Sequence, residues 1–155
     1  MQTEHHDVII VGAGISGIGA ACHLQRECPG KDYVILEGRA AIGGTWDLFR
    51  YPGIRSDSDL YTFGYDFKPW HGQPIATADE ILRYLNEVVE ENDLTPNIRF
   101  NHWVNTASWS TEDACWQVIA TRGDDSQVRI TGNFLFMCQG YYDYAGGYKP
   151  DFPGE

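Results

Sequence analysis

Asp7-Val-Ile-Ile-Val-Gly12-Ala-Gly14-Ile-Ser16-Gly17-Ile-Gly-Ala-Ala21-Cys-His-Leu24 is the stretch whose reading decides the fold. Residues 8–11 are an unbroken β-branched run, the pattern of a strand buried on both faces of a parallel sheet, and the run is too short for a helix. Gly12 permits a sharp turn at the strand's end, Gly14 leaves no side chain where a pyrophosphate must approach, and Gly17 lets the following helix lie close to the strand. The free N–H groups and positive dipole end of that helix then face the phosphates, so an anionic ligand is held largely by backbone.

A glycine turn alone is common. Here a helix follows, with Ala21 and Leu24 at helical spacing from Gly17, then a second apolar strand, Tyr33-Val-Ile-Leu36, then an acid, Glu37. Glu37 comes 25 residues after Gly12, against a usual spacing of about 20. A carboxylate there accepts hydrogen bonds from an adenosine ribose and repels a 2′-phosphate, so this first site should take FAD or NAD and not NADP. The plainer reading of Glu37 is a solvated acid at a strand end.

The 155 residues, 43% hydrophobic and 14% aromatic, suffice for one ordinary core and argue against disorder. Eleven Lys and Arg against 22 Asp and Glu give a net charge of −11, which makes nucleic acid and anionic lipid poor partners. An anionic cofactor must then be held locally, against the global field, which again favours helix amides over a basic patch. The four cysteines form no C-x-x-C pair and no metal-ligand spacing, as expected of a reduced cytoplasmic chain. The N-terminus is polar and acidic, and the apolar run behind it is too short for a signal peptide or a transmembrane segment. His5 and His6 receive no role.

Further along, Pro29-Gly30 stops the first helix before the second strand. Residues 38–74 have no clear period and are rich in glycine, proline and aromatics; long irregular stretches in compact domains are usually functional. Thr77-Ala-Asp-Glu80 is a capping box, and Ile81, Leu82, Leu85, Val88 and Val89 follow at helical spacing, so a helix is predicted over 78–91. Residues 96–104 alternate as a strand, with His102 a half-buried strand residue and not a ligand. Residues 115–121 and 127–130 read as a hairpin around Gly123-Asp-Asp, and residues 134–138 as a last, fully buried strand. The predicted class is α/β: a Rossmann-like FAD-binding domain, βαβ with a parallel sheet, carrying a β-hairpin or meander insertion. The end of the chain, proline-punctuated and acidic, reads as the start of a connection.

A second motif, Ile42-Gly43-Gly44-Thr45-Trp46-Asp47-Leu48-Phe49-Arg50-Tyr51-Pro52-Gly53-Ile54-Arg55-Ser56-Asp57, separates the oxidoreductase types. Gly43 and Gly44 give a turn through which backbone can approach a second phosphate or a ribityl chain. From these residues the sequence closely resembles the class B flavoprotein monooxygenases, the Baeyer–Villiger and flavin-containing monooxygenases. The GGTW…RYPG…RSD block is more specific than the glycine turn, and the resemblance covers essentially the whole chain. It implies FAD contacts at Gly12, Gly14, Ser16, Gly17, Glu37, Gly44, Thr45, Trp46, Asp47, Leu48, Asp57 and Val104. It also implies that Arg55, Ser56 and Asp57 lie where the flavin ring meets the nicotinamide of NADPH, with Asp57 in an orienting role. Without the resemblance, Asp57 reads equally as a helix cap in Ser56-Asp57-Ser58-Asp59-Leu60, and Arg50 and Arg55 as surface arginines.

The chemistry so implied is flavin reduction by NADPH and capture of O2 as a C4a-peroxyflavin, which oxygenates a ketone or a thioether, thioamide or amine. The resemblance further implies that residues 1–155 are the N-terminal portion of an FAD domain, with the NADPH-binding domain, the rest of the FAD domain and the catalytic arginine elsewhere. A flavin disulfide reductase would need a redox cysteine pair where Trp46 stands. Another FAD- or NAD-dependent oxidoreductase and a non-catalytic FAD-binding fragment remain as alternatives. Oligomeric state has no signature.

Overall fold

In the computed structural model, which describes residues 3–154, strand β1 (Thr3–Val11) runs into helix α1 (Ile15–Glu27) and returns as β2 (Tyr33–Leu36). Met1, Gln2 and Glu155 lie outside the described residues. Two single turns of helix, α2 (Thr45–Leu48) and α3 (Leu60–Phe63), interrupt the next loop before α4 (Ala78–Glu91). A 3-10 turn (Thr95–Asn97) and β3 (Ile98–Arg99) lead to an antiparallel meander of β4 (His102–Ser110), β5 (Cys115–Arg122) and β6 (Gln127–Met137).

The six strands form one mixed sheet in the order β3-β2-β1-β6-β5-β4. β1 lies parallel to both β2 and β6, with Val11 opposite Leu36 on one side and Met137 on the other. Period-two alternation along β1 feeds two cores. Ile10 packs with Ile18 of α1, Ile35 of β2, and Ile81, Leu85 and Val88 of α4. Ile9 and Val11 face the other way and join Val34 and Leu36 against Val118, Ala120, Val128 and Ile130, so the meander coils back over the sheet it extends. Each fully buried Ile or Leu is worth about 1.5–3 kcal/mol, and both sheet faces are covered at Ile9, Ile10 and Val11.

The βαβ unit, the helix over 78–91 and the 115–130 hairpin form where the sequence places them. The capping box closes both ways: Thr77 accepts from the Glu80 amide, and the Glu80 carboxylate accepts from the Thr77 amide at 2.8 Å. Other segments depart from expectation. β1 begins at Thr3, five residues before the apolar run, because His5 and its neighbours pair with β6. The alternating run 96–104 is two strands, since Asn101 takes a positive φ of 55° and the chain turns from β3 beside β2 into the meander. His102 is half-buried, with Nδ1 2.8 Å from the Phe100 carbonyl. Residues 134–138 are not a fully buried strand: residues 134–137 are the end of β6 and Cys138 lies just beyond it, and Phe134 and Phe136 are 58% and 45% exposed because no described element covers that face.

Candidate functional site

The turn between β1 and α1 is made by close backbone packing. Gly12 has φ +102°, and a Cβ there would stand 2.6 Å from the Cys138 carbonyl oxygen. At Gly17 a Cβ would come within 1.9 Å of the Gly12 carbonyl oxygen, so the helix can sit on the strand only as glycine. Gly14 is the N-cap of α1 and offers no side-chain cap, and the Ile18 amide bonds the Gly14 carbonyl at 3.0 Å. The first-turn amides therefore have no intrahelical partner.

Glu37 is buried, 7% exposed, and both carboxylate oxygens are engaged. One accepts from the Ala13 amide at 2.8 Å and the other from the Arg39 amide at 2.9 Å. The carboxylate thus fixes the glycine turn to the end of β2, which excludes the reading of a merely solvated acid. Each oxygen keeps a further acceptor position.

The second glycine pair docks directly onto the first. The Gly43 amide donates to the Ala13 carbonyl at 2.9 Å, and a Cβ on Gly14 would lie 3.7 Å from the Gly44 Cα. Arg39 locks this arrangement: its guanidinium donates to the Gly44 carbonyl at 2.9 Å and pairs with Asp47, which also holds Arg50 at 2.8 Å. Trp46 stands edge-on to Phe63 with ring centroids 6.2 Å apart.

These parts surround a cavity of about 350 Å³. Of the residues singled out in the sequence, Gly12, Gly14, Ser16, Glu37, Gly44, Thr45, Trp46 and Val104 line it together. Gly17 lies behind the turn, while Asp47 and Leu48 sit on α2 outside the lining. Arg55, Ser56 and Asp57 also lie outside the lining. Arg55 makes a β-bridge with Thr77, and the buried Ser56 closes a local turn by donating to the Ser58 carbonyl at 2.7 Å. The helix cap in this stretch is Asp59, which accepts from the Thr62 amide at 2.9 Å, and not Asp57. Asp57 is exposed near Tyr142, whose phenol is pushed up by its hydrogen bond with Tyr141 and by the charges of Tyr141, Asp57 and Tyr51.

Sequence reading missed Arg39, Trp103, Gln139, Tyr142 and Tyr144, which line the same cavity. The tyrosines stand against Phe49 at centroid distances of 6.1 and 6.2 Å, giving the cavity an aromatic flank. The only available signal for them was the tyrosine run after Gly140. A second, wider hollow of about 930 Å³ lies along α1 and the outer half of β6, bounded by Ile10, Ala20, Leu24, Tyr65, Phe134 and Phe136. Ile15 and Ser16 border both hollows. Among the described residues no group of His, Cys, Asp and Glu is placed to hold a metal, and no helix is long and apolar enough to cross a membrane. The four cysteines are free.

A model of the NAD(P)-binding Rossmann-like domain family matches residues 10–85. The chain is 56% identical over 154 residues to an FAD-containing monooxygenase, EthA, of Mycolicibacterium smegmatis, covering 99% of this chain and 31% of that protein. It is 48% identical over 153 residues to a probable FAD-binding monooxygenase, AlmA, of Acinetobacter baylyi, covering 98% of this chain and 31% of that one. Among solved structures, an oxidized steroid monooxygenase bound to NADP superposes with a TM-score of 0.79 at 31% identity, over 97% of this chain and 28% of that one. OTEMO in complex with FAD and NADP gives 0.77 at 30% identity, over 96% and 28%. The chain spans about a third of the length of the curated relatives it matches.

Proposed function

We propose that this chain, similar over nearly its whole length to FAD-containing monooxygenases, is the FAD-binding part of a class B flavoprotein monooxygenase, NADPH- and O2-dependent and acting on a ketone or on a soft sulfur or nitrogen centre. The observation that carries this reading is the convergence on one cavity of an uncapped helix start, a buried acid at the end of β2 and a second glycine turn.

The residues present fit FAD. The space between Gly14 and Gly44 is one that side chains would fill, and it suits a diphosphate held by first-turn amides. Glu37, already oriented by two amides, has acceptor positions left for the adenosine ribose hydroxyls. Trp46, Val104 and the Tyr142 and Tyr144 rings supply apolar walls that exclude water from a flat aromatic ligand. Asp47 acts through the loop: with Arg39 and Arg50 it holds α2 in place. When bound, FAD would supply the transfer of reducing equivalents from NADPH to O2. Arg55, Ser56 and Asp57 stand beyond the cavity, where we assign them to the approach of the nicotinamide. We further propose that the NADPH domain and the remainder of the FAD domain are supplied by chain outside these 155 residues. The protein would then work as a soluble cytoplasmic enzyme.

A second reading, FAD binding without turnover by these 155 residues alone, draws on their single GxGxxG turn. Both readings meet one experiment: incubate the purified chain with FAD, remove free flavin by gel filtration, record the spectrum, then supply NADPH and a ketone. A yellow chain with little NADPH oxidation is expected. A colourless chain would overturn the flavin assignment, and ester formation by the chain alone would overturn its incompleteness.

A further inference from the structure

The segment after α3 crosses the outer side of α1, and Tyr65 is its point of attachment. Its ring lies over Gly19, where a Cβ would stand 2.8 Å from Tyr65 Cε1. The same ring stacks on Phe67, with centroids 4.7 Å apart and planes 9° apart, and on Tyr84 of α4, at 5.7 Å and 22°. The Tyr65 amide donates to the Tyr84 hydroxyl at 2.8 Å, and that hydroxyl donates to the Lys68 carbonyl at 2.7 Å. Lys68 in turn pairs with Glu87 and Glu91, so the strap is bound to α4 at both ends of this short run.

Tyr65 donates its own hydroxyl to the carbonyl of Ile15, the first residue of α1. In a regular helix that carbonyl receives the amide four residues on, which is Gly19, the residue against which the Tyr65 ring packs. The phenol therefore engages the first turn at its hydrogen-bond ladder. Burial pushes its pKa far above the ordinary tyrosine range, so it remains a donor. The Ile15 carbonyl shares a peptide unit with the Ser16 N–H, and Ile15 and Ser16 border the glycine-lined cavity. A hydrogen bond accepted by the carbonyl polarises that N–H and strengthens it as a donor.

We propose that Tyr65 is a positioning residue for the anion site: its hydroxyl on Ile15 and its ring against Gly19 set where, and how strongly, the start of α1 presents its amides to a dinucleotide diphosphate. This rests on the reading of the glycine-lined cavity as the FAD site. A group that only stabilised the fold would lose global stability when altered, without a selective effect on that first turn.

The test uses the 155-residue chain with Tyr65→Phe, which keeps the stacked ring, and Gly19→Ala, which displaces it. FAD affinity is measured by flavin fluorescence, and amide hydrogen exchange is followed in residues 15–19 and in α4. Tyr65→Phe should bind FAD about fivefold more weakly, the loss of one buried hydrogen bond, with faster exchange confined to residues 15–19. Gly19→Ala should give the same pattern more strongly. Wild-type binding with an unaltered dissociation constant in Tyr65→Phe, or protection lost uniformly across α1 and α4, would overturn this role alone. Failure of the wild-type chain to bind FAD would instead overturn the cavity reading, and this role with it.

Discussion

Two hollows meet at Ile15 and Ser16 and are made of opposite materials. The smaller one is walled by glycine backbone, helix amides, a buried carboxylate and a few aromatic rings; the wider one is walled by Ile10, Leu24, Phe134, Phe136 and other apolar groups. Size and apolarity would direct attention to the wider one. Chemistry directs it to the smaller, because donors that are fixed, unpaired and pointed at one place bind an anion, whereas an uncovered apolar face only excludes water. In a chain of net charge −11, that local arrangement has to outweigh the field of the whole protein.

Substitutions at the glycines should separate the two hollows most sharply. Gly17→Val forces side-chain atoms into the Gly12 carbonyl, and since helix and strand cannot part without opening the core, a loss of more than about 3 kcal/mol is expected. Denaturant unfolding would measure it, and a near-wild-type midpoint would refute the close packing described. Gly14→Val is different in kind: its Cβ has room, and the branches project toward Gly44 and the cavity. Flavin retention should disappear while the fold remains, seen as a colourless chain with an unchanged circular dichroism spectrum.

An intermediate effect is expected at Glu37. Glu37→Ala strips two amide partners from a buried position, so stability should fall by about 2 kcal/mol and FAD affinity by about tenfold. An unchanged flavin dissociation constant would make the carboxylate purely structural. Phe134→Ser together with Phe136→Ser, on the wider hollow, should leave FAD affinity within about twofold and unfolding within about 1 kcal/mol, because both rings are already largely exposed. A large loss of flavin there would dissolve the distinction between the hollows.

The smallest effect concerns pH and lies at the opposite end of β1. Arg99 beside Glu4 holds that carboxyl below its usual 4.5. A folded pKa lower than the unfolded one gives stability that is present above the unfolded value and lost as pH falls through the folded one. Arg99→Gln should therefore soften the acid limb of the unfolding curve below about pH 4.5 by a few tenths of a kcal/mol, the exposed-pair scale, with flavin binding at neutral pH untouched.

The same contrast explains what the sequence could disclose. The glycine turns, the capping box at Thr77 and the apolar periods of α1 and α4 are legible because each depends on neighbours within a few residues. The break at Asn101, the reach of Arg39 to Gly44 and Asp47, and the arrival of Tyr142 and Tyr144 at the cavity depend on where distant loops come to rest. The exposure of Phe134 and Phe136 was illegible for another reason: an apolar run reads as buried whether or not a covering element is present. Arg55, Ser56 and Asp57 came from the family resemblance alone, and they stand outside the cavity lining.

Whether the amides at the start of α1 grip a diphosphate is decided by titrating the chain, by calorimetry, with FAD and with riboflavin, which shares the ring but lacks the diphosphate and adenosine. FAD should bind at least about a hundredfold more tightly, and Gly14→Val should abolish that advantage. Equal affinity for the two flavins, or an FAD preference that survives Gly14→Val, would contradict the account.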